Sequence, residues 1–131
     1  MNTKPSNAYV ISSWVATGIG VLGYSIGLLR AEMMLNEKGY YLVVLLFALY
    51  AAISVQKCVR DKQEFIPMTN VYFGFSWFSL IASILLLGIG LFNADLLLSE
   101  KGFYAFGFVL SIFGAITVQK NTRDIAKYES S

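Results

Sequence analysis

The sequence predicts an all-α membrane protein in which two tandem, parallel helical-hairpin repeats form four transmembrane helices. The repeat is direct: residues 7–61 align without gaps on residues 70–124, and 21 of the 55 aligned pairs are identical. Charged residues make up only 14% of the chain, against roughly 25% in soluble domains. They are absent from four long runs, residues 9–29, 40–55, 71–94 and 103–119. So much uncharged chain leaves too little polar surface to coat a water-soluble globule, which indicates an integral membrane protein.

The first repeat is predicted to cover residues 6–61, with helices at about 8–29 and 37–58. The first helix would be roughly 33 Å long at 1.5 Å per residue, enough to cross a hydrocarbon core of about 30 Å. It is longer than the apolar region of a signal peptide, and its copy in the second repeat cannot be a signal. We therefore expect it to span the membrane, with Ser6 or Asn7 as its N-cap.

The second repeat is predicted to cover residues 69–124, with helices at about 70–93 and 100–122 and with Thr69 or Asn70 as the N-cap. In both repeats the second helix is expected to begin after an N-cap, Asn36 or Ser99, that precedes an acidic residue. A linker, residues 62–68, would join the repeats, because Pro67 cannot continue a helix from upstream. The tail, residues 125–131, has no counterpart in the repeat and is expected to fray.

Small residues recur along one face of the first helix at spacings of three and four. In lipid, helices associate where small side chains let their backbones approach. We therefore interpret the small residues as helix-packing positions. They are Ala16, Gly20, Gly23 and Gly27 in the first helix, Ala52 in the second, Gly90 in the third, and Gly114 and Ala115 in the fourth. The alternative is a glycine-lined pore or a homodimer face.

Both repeats end on the pattern Gln-Lys-x-x-Arg-Asp, which places charges at Lys57, Arg60 and Asp61 in one copy and at Lys120, Arg123 and Asp124 in the other. Lysine four residues before aspartate is the less favourable order on a helix, contributing only a few tenths of a kcal/mol. Because so small a gain does not explain the pattern, we predict pairing across a pseudo-two-fold axis, Arg60 with Asp124 and Arg123 with Asp61. The alternative is two separate, solvated helix ends.

A second repeated pattern lies around the connection within each repeat. It comprises Glu32, Glu37, Lys38 and Gly39 in the first copy and Asp95, Glu100, Lys101 and Gly102 in the second. Acids deep in a membrane suggest ion or proton handling, but these acids lie in or beside connections. The deepest strongly polar side chains are Gln56 and Gln119, for which we expect interhelical hydrogen bonds.

The distribution of basic residues predicts the orientation in the membrane. Seven of the ten Lys and Arg residues fall on the side of the termini and linker, so this side is expected to be cytoplasmic. Two helices per repeat mean that both repeats enter from the same side, unlike the inverted repeats of many transporters. Basic side chains near the surface also favour contact with anionic lipid headgroups.

These motifs resemble the YiaA/YiaB family of bacterial inner-membrane proteins, whose members carry a two-helix domain in one or two copies. The motifs are Glu37-Lys38-Gly39-Tyr40-Tyr41 and Gln56-Lys57-x-x-Arg60-Asp61, with copies that begin at Glu100 and Gln119. The resemblance covers residues 8–124. It implies a bacterial inner-membrane protein with two copies of the domain. It implies no activity and no site residues, because the family is uncharacterised.

We do not expect an enzyme. The chain has no histidine and a single cysteine, Cys58, so no catalytic residue, metal site or cofactor is predicted. A net charge of +2 is too small to indicate nucleic-acid binding. The sequence favours a non-enzymatic scaffold or accessory protein in contact with the lipid bilayer. The alternative is a small transporter or channel subunit, and a homo-oligomer is compatible with either.

Overall fold

The computed structural model describes residues 4–130, and within them the chain forms α-helices and no strand. The helices are α1 (Asn7–Arg30), α2 (Leu35–Gln63), α3 (Asn70–Asn93) and α4 (Leu98–Ser130). Each is long and apolar enough to cross a membrane. The predicted fold class is therefore confirmed. We call the end of the bundle that carries residues 64–69 the charged end, and the end that carries residues 31–34 and 94–97 the turn end.

The second helix of each repeat is longer than predicted. α2 extends to Gln63 instead of about residue 58, and α4 extends to Ser130 instead of about residue 122. The expected linker is consequently shortened, and the segment expected to fray is helical through Ser130, while Ser131 lies outside the described residues. Ion pairs four residues apart, such as Lys57–Asp61 and Lys120–Asp124, support these last turns.

The N-caps of α1 and α3 are as predicted. Ser6 Oγ accepts a hydrogen bond of 3.2 Å from the backbone N–H of Tyr9, and Thr69 Oγ1 accepts one of 3.1 Å from Tyr72. Each hydroxyl therefore pairs with an N–H that the first helical turn leaves without a carbonyl partner.

The N-caps predicted for α2 and α4 are wrong, because Asn36 and Ser99 lie inside the helices. The acid that follows each of them performs the capping instead. Glu37 Oε1 accepts a hydrogen bond of 3.3 Å from the backbone N–H of Met34, and Glu100 Oε1 accepts one of 3.0 Å from Leu97. This is the reaching-back half of a capping box, with an apolar residue in the place of the usual serine or threonine.

The two repeats are interlocked rather than packed as separate hairpins. α1 packs along α4 and α3 packs along α2, so the first helix of each repeat lies on the second helix of the other. α2 and α4 contact each other in the middle of the bundle, whereas α1 and α2 touch far less extensively. The order across the bundle is α1, α4, α2, α3, and the pseudo-two-fold axis passes between α2 and α4.

Glycine allows α1 and α4 to approach closely. A Cβ atom built on Gly20 would lie 2.8 Å from the backbone nitrogen of Ser111, and one on Gly114 would lie 2.9 Å from the backbone nitrogen of Thr17. In the α2–α3 interface larger residues, Ser83 and Ala51, stand at the positions equivalent to these two glycines. Close backbone contact between the repeats is therefore concentrated on one side of the axis.

The other predicted packing positions differ in how tightly they are enclosed. Gly27 and Gly90 abut the rings of Phe103 and Tyr40, within 2.7 and 2.8 Å of an added Cβ. Gly23 has room for a methyl group, since its nearest neighbour would be 3.9 Å away, and glycine is not needed there. The remaining predicted positions are buried Ala52 and Ala115 and half-buried Ala16.

Candidate functional site

The largest group of interacting charges lies at the charged end, where the C-terminal parts of α2 and α4 meet. Both predicted cross-repeat ion pairs are present: Arg60 with Asp124, and Arg123 Nη2 with Asp61 Oδ1 at 2.7 Å. The Asp61 side chain is only 4% exposed. Two separate helix ends, the alternative interpretation, are not what the structure shows. We call these residues, with the partners described next, the ionic cluster.

A lysine flanks each aspartate and extends the ionic cluster toward α1 and α3. Lys57 Nζ lies 2.7 Å from Asp61 Oδ2, and Lys120 Nζ lies 2.9 Å from Asp124 Oδ2. The same two ammonium groups lie over aromatic rings of the neighbouring helices, Lys57 over Tyr72 at 5.8 Å and Lys120 over Tyr9 at 5.9 Å. Each lysine therefore links its own helix to the first helix of the other repeat through a cation–π contact.

Glu64 belongs to the ionic cluster although the sequence interpretation missed it. Its carboxylate accepts hydrogen bonds of 2.9 Å from Arg60 Nε and 3.0 Å from Arg123 Nη2, and Lys127 Nζ lies 3.8 Å away. The hydrogen bond from Arg123, followed by that from Arg60, holds the pKa of Glu64 below its ordinary value. Lys127 stands at the repeat position equivalent to Glu64, so identity between the copies could not reveal this residue.

The glutamate could have been found by a different signal. It follows Arg60 by four residues, the spacing at which side chains meet on a helix. The opposite charges at equivalent positions, Glu64 and Lys127, also suggest attraction across the axis. Both signals require α2 to continue beyond the predicted end, and the sequence interpretation ended it too early.

A polar layer lies beneath the ionic cluster and again follows the pseudo-symmetry. Asn121 Nδ2 of α4 donates a hydrogen bond of 3.3 Å to Ser13 Oγ of α1. At the equivalent place between α2 and α3, Cys58 Sγ lies 3.6 Å from Ser76 Oγ. All four side chains are buried. The same contact is thus made with an amide in one repeat and with a thiol in the other.

The interhelical hydrogen bonds predicted for Gln56 and Gln119 are not formed within the described part of the chain. Both side chains are half-buried, and neither amide bonds to another described residue. In this layer the side-chain contacts between helices are made two residues after each glutamine, at Cys58 and Asn121. The face of α2 and α4 that turns inward therefore carries these residues instead of the glutamines.

The residues of the turn-end pattern are not gathered into one site. Glu37 and Glu100 cap helices, as described above, and Lys38 Nζ donates a hydrogen bond of 2.9 Å to the carbonyl oxygen of Leu29. The side chains of Glu32 and Asp95 are exposed. The remaining members are Gly39 and Gly102, beside which an added Cβ would meet open space, and half-buried Lys101. The pattern consequently forms helix starts rather than an ion-handling centre.

The chemistry of the ionic cluster is structural in character. Asp61, Glu64 and Asp124 each contact at least two basic side chains, so their charges are neutralised within the cluster. Among residues 4–130, no group of three or more His, Cys, Asp or Glu is placed to hold a metal ion.

The fold and this cluster define the class: a multi-pass membrane protein built from a duplicated two-helix unit, with ion pairs that join the two copies. The profile described as "yiaA/B two helix domain" matches residues 9–61 and again residues 72–124. The chain therefore belongs to the YiaA/YiaB family, as the motifs predicted.

Two relatives show the extent of the similarity. The chain is 55% identical over 119 residues to "Inner membrane protein YiaA" of Escherichia coli (strain K12). The aligned residues make up 91% of this chain and 82% of that protein. It is 47% identical over 58 residues to "Uncharacterized membrane protein YubF" of Bacillus subtilis (strain 168), which covers 44% of this chain and 67% of that protein. No solved structure shows significant similarity. Both relatives are described as membrane proteins, and neither description names an activity.

Proposed function

We propose that the protein is a non-enzymatic scaffold or accessory protein of the bacterial inner membrane. The observation that carries this proposal is the closure of the ionic cluster on itself. Arg60 and Arg123 bind the carboxylates of both repeats, and these groups are neutralised by one another. Such an arrangement joins helices and leaves few charged groups free to bind a substrate or to relay protons.

The interior of the bundle supports a scaffold more than a transporter. Fully buried side chains, among them Tyr24, Leu45 and Phe108, fill the middle of the bundle. The four uncharged runs contain no Asp, Glu, His, Lys or Arg, whereas ion- and proton-coupled transporters carry such groups deep in the membrane. The alternative, a small transporter or channel subunit, requires a water-filled path through these packed residues.

We further propose that both termini face the cytoplasm and that the charged end contacts anionic lipid headgroups there. Positive charge is retained on the cytoplasmic side of membrane proteins, and each surface Lys or Arg contributes about 1 kcal/mol of attraction to anionic lipid. The basic residues divide seven to three between the two ends. They are Lys4, Lys57, Arg60, Lys62, Lys120, Arg123 and Lys127 at the charged end, and Arg30, Lys38 and Lys101 at the turn end.

Cysteine labelling tests the orientation. The native Cys58 is buried, so it contributes little background to labelling by a membrane-impermeant maleimide. In spheroplasts we expect Glu32→Cys to react and Lys62→Cys to react only after the membrane is permeabilised. Labelling of Lys62→Cys in intact spheroplasts, without labelling of Glu32→Cys, would reverse the proposed orientation.

Reconstitution distinguishes the two candidate functions. Purified protein in liposomes is expected to leave proton and potassium permeability at the level of empty liposomes. A flux that rises in proportion to protein content would support the transporter or channel and would contradict the scaffold.

The partner protein that the scaffold would support can be identified by crosslinking. A photo-crosslinking residue is placed at position 65, because Phe65 is 93% exposed. We expect the abundance of the crosslinked membrane protein to fall when the gene is deleted and to recover with the wild-type chain. A crosslink to a second copy of this chain alone would indicate a homo-oligomer, and an unchanged abundance of every crosslinked partner would contradict an accessory role.

A further inference from the structure

A cleft opens between α1 and α4 at the turn end of the bundle. Its volume is about 280 Å³, and Gly27, Arg30, Glu100 and Phe103 are among the residues that line it. We call it the arginine cleft. Arg30 is the first charged residue after the uncharged run of α1, so the cleft lies where the hydrocarbon core gives way to lipid headgroups.

The repeat builds the same cleft a second time, between α2 and α3. This asparagine cleft has a volume of about 370 Å³, and the positions that line it correspond to those of the arginine cleft. The equivalent residues are Gly90 for Gly27, Asn93 for Arg30, Glu37 for Glu100 and Tyr40 for Phe103. The two clefts share a carboxylate, but the basic residue is found in only one of them.

The charges in the arginine cleft are available for a ligand. Arg30 and Glu100 line the same cleft without forming an ion pair with each other, and Arg30 forms none with any other described residue. Glu100 is held at the start of α4 by its hydrogen bond to Leu97, which uses one carboxylate oxygen. The ring of Phe103 is 50% exposed, so it forms an apolar wall that borders the lipid.

We propose that the arginine cleft binds the headgroup of a phospholipid that carries both a phosphate and a primary ammonium. The phosphate pairs with Arg30, whose planar guanidinium forms paired hydrogen bonds with phosphate oxygens. The ammonium pairs with Glu100, and the acyl chains lie along Phe103. A cleft with one positive and one negative side chain complements a zwitterion, whereas a purely anionic headgroup has no group that attracts the glutamate.

The size of the cleft agrees with such an occupant. Sites for drug-sized ligands occupy roughly 300–1,000 Å³, and a volume of about 280 Å³ suits a headgroup whose chains remain in the bilayer. The asparagine cleft, with Glu37 but no cation, lacks the partner for the phosphate. The structure therefore favours one bound headgroup per chain rather than two.

Native mass spectrometry of the full-length protein, released from nanodiscs of defined lipid, tests the proposal. Wild-type protein is expected to retain one phosphatidylethanolamine and to retain phosphatidylcholine and phosphatidylglycerol about tenfold less, because trimethylation or loss of the ammonium removes its hydrogen bonds to Glu100. Equal retention of the three lipids, or preference for phosphatidylglycerol, would overturn the proposal.

The duplicated cleft supplies matched variants. Arg30→Asn gives the arginine cleft the residue of its counterpart and should weaken retention about tenfold or more, whereas Asn93→Arg should add a second bound lipid. Glu100→Gln keeps an oxygen for the cap but loses the charge and should lower retention, while Glu37→Gln should not. Thermal melting monitors the fold of each variant. A stably folded Arg30→Asn protein that retains phosphatidylethanolamine like the wild type would refute the assignment.

Discussion

A methyl group added at Gly114 tests the close approach of α1 and α4 on which the interlocked fold depends. In Gly114→Ala the new Cβ would lie 2.9 Å from the backbone nitrogen and the Cα of Thr17 and would also meet the Thr17 hydroxyl. The hydroxyl is itself held by a 2.7 Å hydrogen bond to the carbonyl oxygen of Ser13. Rotating it away breaks that bond, and the backbone contacts are relieved only if α1 moves.

The magnitude follows from two opposing terms. Overpacking a closely packed interface costs about 1–3 kcal/mol, and replacing glycine by alanine within a helix returns up to about 1 kcal/mol. We expect a net loss of about 1–2 kcal/mol in the free energy of unfolding. Gly18→Ala is the control; it lies in α1, the other helix of this interface, and nothing lies within 4 Å of its Cβ position. This control should be neutral or slightly stabilising.

The assay is reversible unfolding of the purified protein in mixed micelles, titrated with sodium dodecyl sulfate and followed by circular dichroism. Both variants gain the same helix propensity from alanine, so the difference between their free energies of unfolding measures the steric contribution. If Gly114→Ala is as stable as Gly18→Ala, the helices do not approach as described and the reasoning is refuted.

Four further outcomes are expected. Asp61→Asn should cost roughly 3 kcal/mol and the less buried Asp124→Asn about 1 kcal/mol, so equal losses in the same titration would contradict the difference in burial. Phe65→Gly should stabilise the protein by about 0.5–1 kcal/mol, because Phe65 has a φ of 58°, which glycine adopts without strain; a lower melting temperature would contradict this. The pKa of Glu64 is lowered in the folded protein, so the stabilisation by this carboxylate is complete above the ordinary glutamate pKa and is lost as the pH falls through the folded value. Glu64→Gln should therefore reduce the loss of folding stability at acid pH, and an unaltered dependence of stability on pH would argue against this. Two chains divided before Pro67 should co-purify as a complex, because each supplies the helix on which the other packs; recovery of separate chains only would contradict the interlocked packing.

The ion pairs of the ionic cluster show what a repeated motif can predict and what it cannot. Two copies of an Arg-Asp motif at one end of a parallel duplication predicted which arginine meets which aspartate, because pseudo-symmetry makes the two pairings equivalent. The motif did not predict Glu64, since the second repeat has Lys127 at that position. Charges that break the symmetry are visible only when the helix ends and their separation are known.

Two predictions from local sequence, the N-caps of α2 and α4 and the hydrogen bonds of the glutamines, failed because the surrounding structure favours other residues. Asn36 and Ser99 are good N-cap residues by type, yet each helix begins earlier because the acid that follows reaches back to an apolar position. Gln56 and Gln119 were the obvious polar residues, but rotation of α2 and α4 turns Cys58 and Asn121 inward instead. The type of a residue shows which hydrogen bonds it can form, and the start and rotation of its helix determine whether it forms them.

The sequence by itself determined that this protein is a membrane protein of four helices in two parallel copies, because uncharged runs and a direct repeat are properties of the chain alone. Only the tertiary structure decided which helices touch. α1 lies on α4 and α3 lies on α2, rather than each on its neighbour in the chain. Gly20 and Gly114, far apart in the chain, let the backbones of α1 and α4 approach closely. Such contacts depend on three-dimensional fit across the repeats, which periodicity within one helix does not encode.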